Sequence, residues 1–143
     1  MTDESARGPQ VQSHEELLRA IVRPEWWNVV EDRPSSAVFS FPKFSAFIES
    51  KTTEDHPTRK LPVGSGQFPD GSGLLRFNSG TARELDFDAR HEPEGGDDSH
   101  ANVYCDLNSN QRKKRIRKFL EAPTTSVVVA PDVERLRASA RTA

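Results

Sequence analysis

The chain has 143 residues, of which 34% are apolar and 29% are charged, and its net charge is −2. That length suits one domain with a modest core. With no run near the roughly 20 apolar residues of a membrane span, and none after the N-terminus, neither a membrane protein nor a signal peptide is expected. Cys105 is the only cysteine, which excludes an intramolecular disulfide and favours a cytoplasmic location.

The polarity of both ends predicts one folded domain between two disordered segments. Residues 1–12 and 135–143 carry too few apolar side chains to join a core. Residues 13–134 are expected to form a single domain. A flexible loop over residues 49–73 interrupts it, because prolines, glycines and polar residues predominate there.

The first predicted element is a short helix that ends before Pro24. Ser13 and Glu16 fit a capping box. The apolar residues after them share one helical face: Leu17, Leu18, Ile21 and Val22. The next apolar group is expected to fill the core: Trp26, Trp27, Val29 and Val30. Residues 37–41 predict a short strand stopped by Pro42, whereas residues 44–48 fit either a strand or a helical turn.

The second half of the chain mixes short strands and short helices. Residues 74–77 predict a strand, and residues 79–85 predict helical turns with a Thr81–Glu84 capping box. Alternating polarity over residues 85–92 predicts a half-buried strand, with residues 100–105 returning as its hairpin partner. Asn108 and Gln111 start a helix that ends before Pro123, and residues 125–130 predict a central strand. Without regular strand–helix alternation, the expected class is α+β: short strands packed against two or three short helices.

Charged residues are segregated along the chain. Residues 84–98 combine one base, Arg90, with seven acids: Glu84, Asp86, Asp88, Glu92, Glu94, Asp97 and Asp98. Residues 107–121 combine one acid, Glu121, with six bases: Arg112, Lys113, Lys114, Arg115, Arg117 and Lys118. The two segments either neutralise each other in the fold or leave a basic surface for a phosphate-bearing partner.

The basic helix is the strongest candidate for binding. Four of its cations share one side: Lys113, Lys114, Arg117 and Lys118. In the turn at residues 33–36, Arg33 adds a planar fork of donors and Ser36 adds a hydroxyl. The alternative is a solvated helix face that pairs with the preceding acids and favours the helix dipole. A pI near 6.1 also argues against a general nucleic-acid binder.

A catalytic arrangement is the second interpretation of the polar residues. Arg33 and Ser35 would hold an anion, with His91 or His100 as acid or base, in a small enzyme acting on nucleotides or nucleic acid. The alternative is a turn in which a serine hydroxyl bonds the backbone. Strand alternation puts the two imidazoles on opposite faces, which disfavours a metal site. No cofactor motif is present, and Cys105 is expected to be a core residue.

Part of the chain resembles a group of small bacterial proteins of unknown function. Their pattern begins with Arg-x-Ser-Ser-x-x-Phe, which matches residues 33–39. Later matches are Ala82-Arg83-Glu84-Leu85, Pro93, His100-Ala101-Asn102-Val103 and the basic run 111–115. The chain departs at residues 44–47, Phe-Ser-Ala-Phe, where the group has an acid, so a site built on that acid is not implied. The resemblance implies one small bacterial domain and no known activity.

The sequence therefore predicts a cytoplasmic binding or accessory module. Its basic helix and the adjacent turn would contact an acidic protein or a phosphate group. Nucleic acid is a possible partner that is not favoured, and no cofactor, metal or membrane partner is predicted. Two alternatives stay open: the small enzyme, and a structural subunit whose acidic and basic segments pair between copies. The oligomeric state is also open.

Overall fold

The computed structural model describes residues 6–61 and 67–142, with side chains as far as residue 139. Its strands are β1 (Glu16–Ile21), β2 (Trp27–Asn28), β3 (Arg33–Pro34), β4 (Lys43–Ile48), β5 (Gly73–Asn78), β6 (Asp88–His91), β7 (His100–Tyr104) and β8 (Ser126–Val129). Its helices are α1 (Ser79–Glu84), α2 (Ser109–Glu121) and α3 (Val133–Thr142). Within these residues, six strands form an antiparallel sheet in the order β6-β7-β4-β1-β5-β8, and β2 pairs with β3. The α+β class and the β6–β7 hairpin are confirmed.

β1 lies in the middle of the sheet, where the sequence predicts a helix. Its apolar side chains alternate between two clusters, Leu17 and Ile21 in the main core and Leu18 and Ala20 on the opposite face. A strand buried on both faces carries a continuous apolar run, which spacing alone does not separate from a short helix. The predicted helix and its capping box are therefore wrong.

The main core lies between α2 and one face of the sheet, called here the core face. Phe119 of α2 stacks on Phe39 with ring centroids 4.5 Å apart, and it meets Phe77 of β5 edge-on at 5.3 Å. Phe119 and Ile116 are fully buried. Deleting such a ring costs about 3–5 kcal/mol, so these contacts fix α2 on the sheet.

The tryptophan pair joins this core as predicted, but the two valines after it do not. Trp26 and Trp27 are buried, whereas Val29 and Val30 are 56% and 91% exposed. The Asn28 side chain accepts hydrogen bonds from the backbone N–H of Val30 and of Glu31. That turn directs the β2–β3 loop away from the core, and the prediction for the valines is wrong.

Residues 37–41 do not form the predicted strand. They include a 3₁₀ turn, Ser36–Phe39, which buries Val38 and Phe39. Backbone hydrogen bonds close it locally, from Val38 N to Ser35 O and from Ser40 N to Ala37 O. The short apolar run was ambiguous because a tight turn can bury its residues as well as a strand does.

Residues 6–12 are ordered along the free edge of β6, although the sequence predicts disorder for 1–12. Val11 N donates to Ala89 O at 2.9 Å, and His91 N donates to Pro9 O at 2.8 Å. The Val11 side chain is 4% exposed. The prediction is wrong for residues 6–12, and residues 1–5 lie outside the described residues.

The C-terminal part also differs from its prediction. β8 is an edge strand, not a central one, and its Val127 and Val128 are 40% and 41% exposed. Most of α3 falls in the predicted disordered tail, and its Leu136 is 1% exposed. Asp132 N donates to Gly71 O at 2.8 Å, and Gly71 has φ +91° with no room for a Cβ beside Asp132 O.

The described part of the predicted flexible loop is bonded to the sheet. It contains two 3₁₀ turns, Glu49–Lys51 and Pro57–Lys60. Arg76 of β5 makes a bidentate pair with Glu49, at 2.7 and 2.8 Å. Residues 62–66 of that loop lie outside the described residues. In the described part of the chain, no helix is long and apolar enough to cross a membrane.

β5 and α1 lie where the sequence predicts them, but the residue that caps α1 differs from the prediction. β5 and α1 confirm the predicted strand and helical turns. The cap of α1 is Asn78, whose side chain accepts from Thr81 N at 2.9 Å, in place of the predicted Thr81–Glu84 box. Cys105 is buried as expected, and burial raises the pKa of its thiol.

Candidate functional site

Local sequence signals place α2 where it was predicted. The Asn108 side chain accepts from Gln111 N at 2.9 Å and so caps the helix. Pro123 follows its C-terminal end, and Ile116 and Phe119 bury one stripe. The residues opposite that stripe are consequently turned to solvent.

The four predicted binding cations of α2 form one exposed surface, called here the basic face. Its members are Lys113, Lys114, Arg117 and Lys118, and all are exposed. Among the residues that the structure describes, none of them makes an ion pair. The other two bases of the helix are engaged: Arg112 donates to Leu107 O at 3.2 Å, and Arg115 pairs with Asp86 at 3.0 Å.

Most partners of the acidic segment are groups outside α2. Asp88 pairs with Arg90 at 2.7 Å, and Asp98 lies 3.6 Å from Lys51. The Glu94 carboxylate lies 3.5 Å from His100. Within the described chain, the Arg115–Asp86 pair is the sole ion pair between α2 and residues 84–98. The predicted mutual neutralisation of the two segments is therefore confined to one exposed contact.

Glu92 is the most constrained acid of that segment. It accepts hydrogen bonds from Gly8 N at 2.6 Å and from the Asn102 and Tyr104 side chains, both at 2.7 Å. Burial raises the pKa of Glu92, but these hydrogen bonds outweigh it and hold that pKa below its ordinary value. Burial and the hydrogen bond to Glu92 together raise the pKa of the Tyr104 phenol to about 12.

Asp97 belongs to a cluster with His56 and Ser99 that sequence reasoning missed. Thr58 N donates to Nδ1 of His56 at 3.3 Å, so Nε2 carries the proton and donates to Asp97 at 2.7 Å. Ser99 Oγ donates to Asp97 at 2.6 Å. Burial raises the pKa of Asp97, but the bonds from Ser99 and His56 prevail and leave it lowered.

A serine, a histidine and an aspartate are also the components of a hydrolytic triad, but the geometry of this cluster does not form one. In a triad the serine and the aspartate meet different ring nitrogens of the histidine. Here Ser99 Oγ and Asp97 both approach Nε2 of His56, at 3.0 and 2.7 Å. The cluster instead ties the loop before Pro57 to the β6–β7 turn. Its one sequence signal was the Asp97-x-Ser99 turn, in which Ser99 N donates to Asp97.

The turn at residues 33–36 leads into a segment that meets α2 on its buried side, not on the basic face. The 3₁₀ turn that begins at Ser36 packs against α2 through Phe39. Arg33 is exposed and lies 3.7 Å from Glu31. Ser35 Oγ donates to Glu25 O at 2.7 Å, which is the backbone-bonded turn given as the alternative.

The two histidines lie away from that turn and from each other. Nε2 of His91 lies 2.6 Å from Asp98 O, and His91 lines a small cavity of about 320 Å³ beside Val11. His100 lies on the face opposite the core, with Nε2 3.3 Å from Ser45 Oγ. In the described structure, no hydrogen bond, ion pair or shared cavity joins either histidine to Arg33 or Ser35. The catalytic grouping predicted from sequence is not assembled.

A cavity larger than the one beside His91 lies elsewhere, on the face opposite the core. It measures about 800 Å³ and opens between the loop at 51–57 and the β6–β7 turn. Phe47 and Phe68 form its apolar part, and His56, Asp97 and His100 lie in its wall. Within the described residues, no group of His, Cys, Asp and Glu is arranged to hold a metal ion.

Comparisons with known proteins give no relative for this arrangement. A scan of protein families found no match, and neither did searches of curated proteins and of solved structures. Function must consequently be inferred from the geometry of the chain itself.

Proposed function

We propose that the protein is a binding or accessory module whose basic face contacts an acidic protein surface or a phosphate group. The observation that carries this proposal is that the acidic and the basic segment differ in how many of their charged side chains have partners in the fold. The basic face is exposed and makes no ion pair with the described residues, while the acids of residues 84–98 are mostly bonded within the fold.

The layout of the basic face suits an extended anionic partner. Lys113 and Arg117, and likewise Lys114 and Lys118, are four residues apart, so each pair is stacked along the helix about 6 Å apart. The buried Phe119 holds the helix rigidly on the sheet. A rigid row of cations binds anions at a smaller entropic cost than cations on a mobile tail.

The experiment is a salt titration of binding to two probes, a poly-glutamate peptide and a duplex oligonucleotide. Counterion release makes affinity for the oligonucleotide fall with salt, with a slope of about −0.9 per phosphate contacted. Lys113→Ala with Arg117→Ala should lower that slope by about 2 and weaken binding to the preferred probe about tenfold or more. Preference for one probe identifies the partner class.

Arg135→Ala with Arg137→Ala is the matched control. Both arginines are exposed on α3, where they pair with Asp132 and Glu134. Replacing them removes two positive charges, as the replacement of Lys113 and Arg117 does. The proposal requires this variant to bind like the unmodified protein. Equal weakening by both variants would show that only the overall charge of the protein matters. If the unmodified protein bound neither probe, the proposal would be wrong.

A further inference from the structure

The sheet brings Ser45 and His100 together on the face opposite the core. β4 and β7 are antiparallel, with Phe47 opposite His100 and Ser45 opposite Asn102. Ser45 and His100 are therefore diagonal neighbours whose side chains share one face. Ser45 is exposed, whereas His100 is 8% exposed. Ser45 Oγ lies 3.3 Å from Nε2 of His100, so an exposed hydroxyl meets a buried imidazole.

The surroundings of His100 fix its tautomer and its orientation. Nδ1 lies 2.9 Å from Glu92 O, which can only accept, so Nδ1 carries the ring proton. In the neutral imidazole, Nε2 is then the acceptor that faces Ser45 Oγ. The Phe47 ring packs edge-on against the imidazole, with ring centroids 5.8 Å apart. A hydroxyl, a base and a group that orients the base are the components that activate a serine nucleophile, and the first distance is often longer than about 3.2 Å before substrate binds.

The cavity of about 800 Å³ gives a substrate access to this pair. Ser45 and His100 both line it, and Phe47 and Phe68 form its apolar part. An ester carbonyl next to Ser45 would therefore have an apolar surface beside it for a short acyl chain.

Most charged groups around the cavity already have partners. Lys51 lies 3.6 Å from Asp98, and Asp97 is bonded to His56 at 2.7 Å. Arg19 also borders the cavity, but its guanidinium packs on aromatic rings of the main core. These groups consequently leave little free charge for a ligand.

The remaining charges in the cavity wall are the exposed acids Asp55 and Glu94. The Glu94 carboxylate lies 3.5 Å from Nε2 of His100, so it attracts the imidazolium that forms when Nε2 takes a proton. Both acids repel an anionic substrate. The cavity therefore suits an uncharged ester.

We propose that Ser45 and His100 form a catalytic pair that hydrolyses small uncharged esters. Ser45 Oγ attacks the ester carbonyl carbon while Nε2 of His100 takes the hydroxyl proton. The bond to the alcohol oxygen then breaks, and His100 gives that oxygen the proton, which leaves the acyl group on Ser45. A water molecule attacks the acyl carbon as His100 takes its proton. His100 returns this proton to Ser45 Oγ, and the carboxylic acid leaves.

The first test is hydrolysis of p-nitrophenyl acetate by the full chain, followed by nitrophenolate absorbance. We expect saturable turnover that Ser45→Ala lowers at least about a hundredfold, because the nucleophile is lost. Ser50→Ala is the matched control and should not change the rate. Ser50 is an exposed serine outside this cavity, and its Oγ donates to Glu15 at 2.6 Å. An unchanged rate in Ser45→Ala, or the absence of saturable turnover in the unmodified protein, overturns the proposal.

A fluorophosphonate probe locates the nucleophile. An activated serine forms a P–O bond through Oγ, and fluoride leaves with the hydroxyl proton. Peptide mass spectrometry should find the adduct on Ser45. An adduct on Ser99 would assign the reactivity to the contact between Ser99 and His56, and that result contradicts the proposal, as does the absence of any adduct.

His100→Asn tests the base. The Asn amide supplies an N–H for Glu92 O but no base for Ser45. We expect a loss as large as that in Ser45→Ala, with no further loss in the double variant, because the two residues act as a unit. An active His100→Asn variant contradicts the proposal. If that variant does not fold, the Ser45→Ala kinetics and the adduct decide.

The charge of the substrate is tested with two esters of equal chain length, p-nitrophenyl hexanoate and the mono-p-nitrophenyl ester of adipic acid. Repulsion by Asp55 and Glu94 should make kcat/KM severalfold lower for the anionic ester. An equal or higher value for it contradicts the preference for an uncharged ester. Lys113→Ala with Arg117→Ala should leave ester hydrolysis unchanged, so this proposal and that of the basic face are supported or refuted separately.

Discussion

The acidic segment 84–98 and the basic segment 107–121 are similar in length and opposite in charge, yet the fold treats them differently. Most of the acids lie on a hairpin and its turn, where neighbouring strands and the N-terminal segment bring donors to them, as Gly8 and Tyr104 do for Glu92. The basic face lies on a helix that contacts the protein only through its other side. The acids on the hairpin are therefore bonded within the fold, whereas the cations on the outer face of α2 remain exposed to solvent.

This contrast is tested most strongly at Glu92. Glu92→Ala leaves three donors without their acceptor, and we expect a loss of about 3 kcal/mol in the free energy of unfolding. Urea denaturation measures it. Glu84→Ala, an exposed acid of the same segment, should change the free energy by less than about 0.5 kcal/mol. Similar losses in both variants would mean that the Glu92 network does not stabilise the fold.

Acid should destabilise the protein through the acidic segment. The folded-state pKa values of Glu92 and Asp97 lie below their unfolded values, which are about 4. Their stabilisation is therefore complete above the unfolded pKa and is lost as the pH falls through the folded pKa. Urea midpoints measured from about pH 5 downward should fall, and Asp97→Asn should flatten that dependence. An unchanged slope in this variant would contradict the role given to Asp97.

Tyr104 reports on the same network from the alkaline side. It is the only tyrosine, so phenolate absorbance follows it directly, and its pKa should be about 12. Because a raised pKa favours the neutral phenol in the folded state, stability is lost as the pH rises from about 10 through that value. Glu92→Gln removes the neighbouring charge and should lower the pKa. Titration near the ordinary value in the unmodified protein would show that the contact with Glu92 is not made.

The single ion pair between the segments should matter little. Arg115 and Asp86 have side chains that are 38% and 50% exposed, and exposed pairs contribute about 0.5 kcal/mol. Asp86→Asn tests this pair, since Asn also tolerates the positive φ of 66° at that position. A loss above about 2 kcal/mol in urea denaturation would show that the segments neutralise each other after all.

The smallest effect is expected at the basic face. Lys113→Ala with Arg117→Ala removes two solvated cations and introduces good helix formers, so the free energy of unfolding should change by less than about 0.5 kcal/mol. Thermal and urea denaturation measure it. A large loss of stability would indicate that these cations serve the fold, and the binding proposal would lose its basis.

Local chemistry was sufficient for the elements that the sequence predicted well. A helix is defined by signals within a few residues, so Asn108, the apolar stripe and Pro123 were enough to place α2 and its exposed cations. The β6–β7 hairpin was equally readable, because alternating polarity reflects a strand with one buried face. The α+β class followed from the mixture of such elements.

Partners that are distant in sequence decided the rest. β1 is a strand because β4 and β5 cover both of its edges, and Val11 is buried because β6 offers it an open edge. His56 reaches Asp97 across 41 residues, which no spacing rule anticipates. The sequence alone therefore determined where charge is concentrated. Only the tertiary structure decided which charges find partners, since pairing depends on which strands become neighbours.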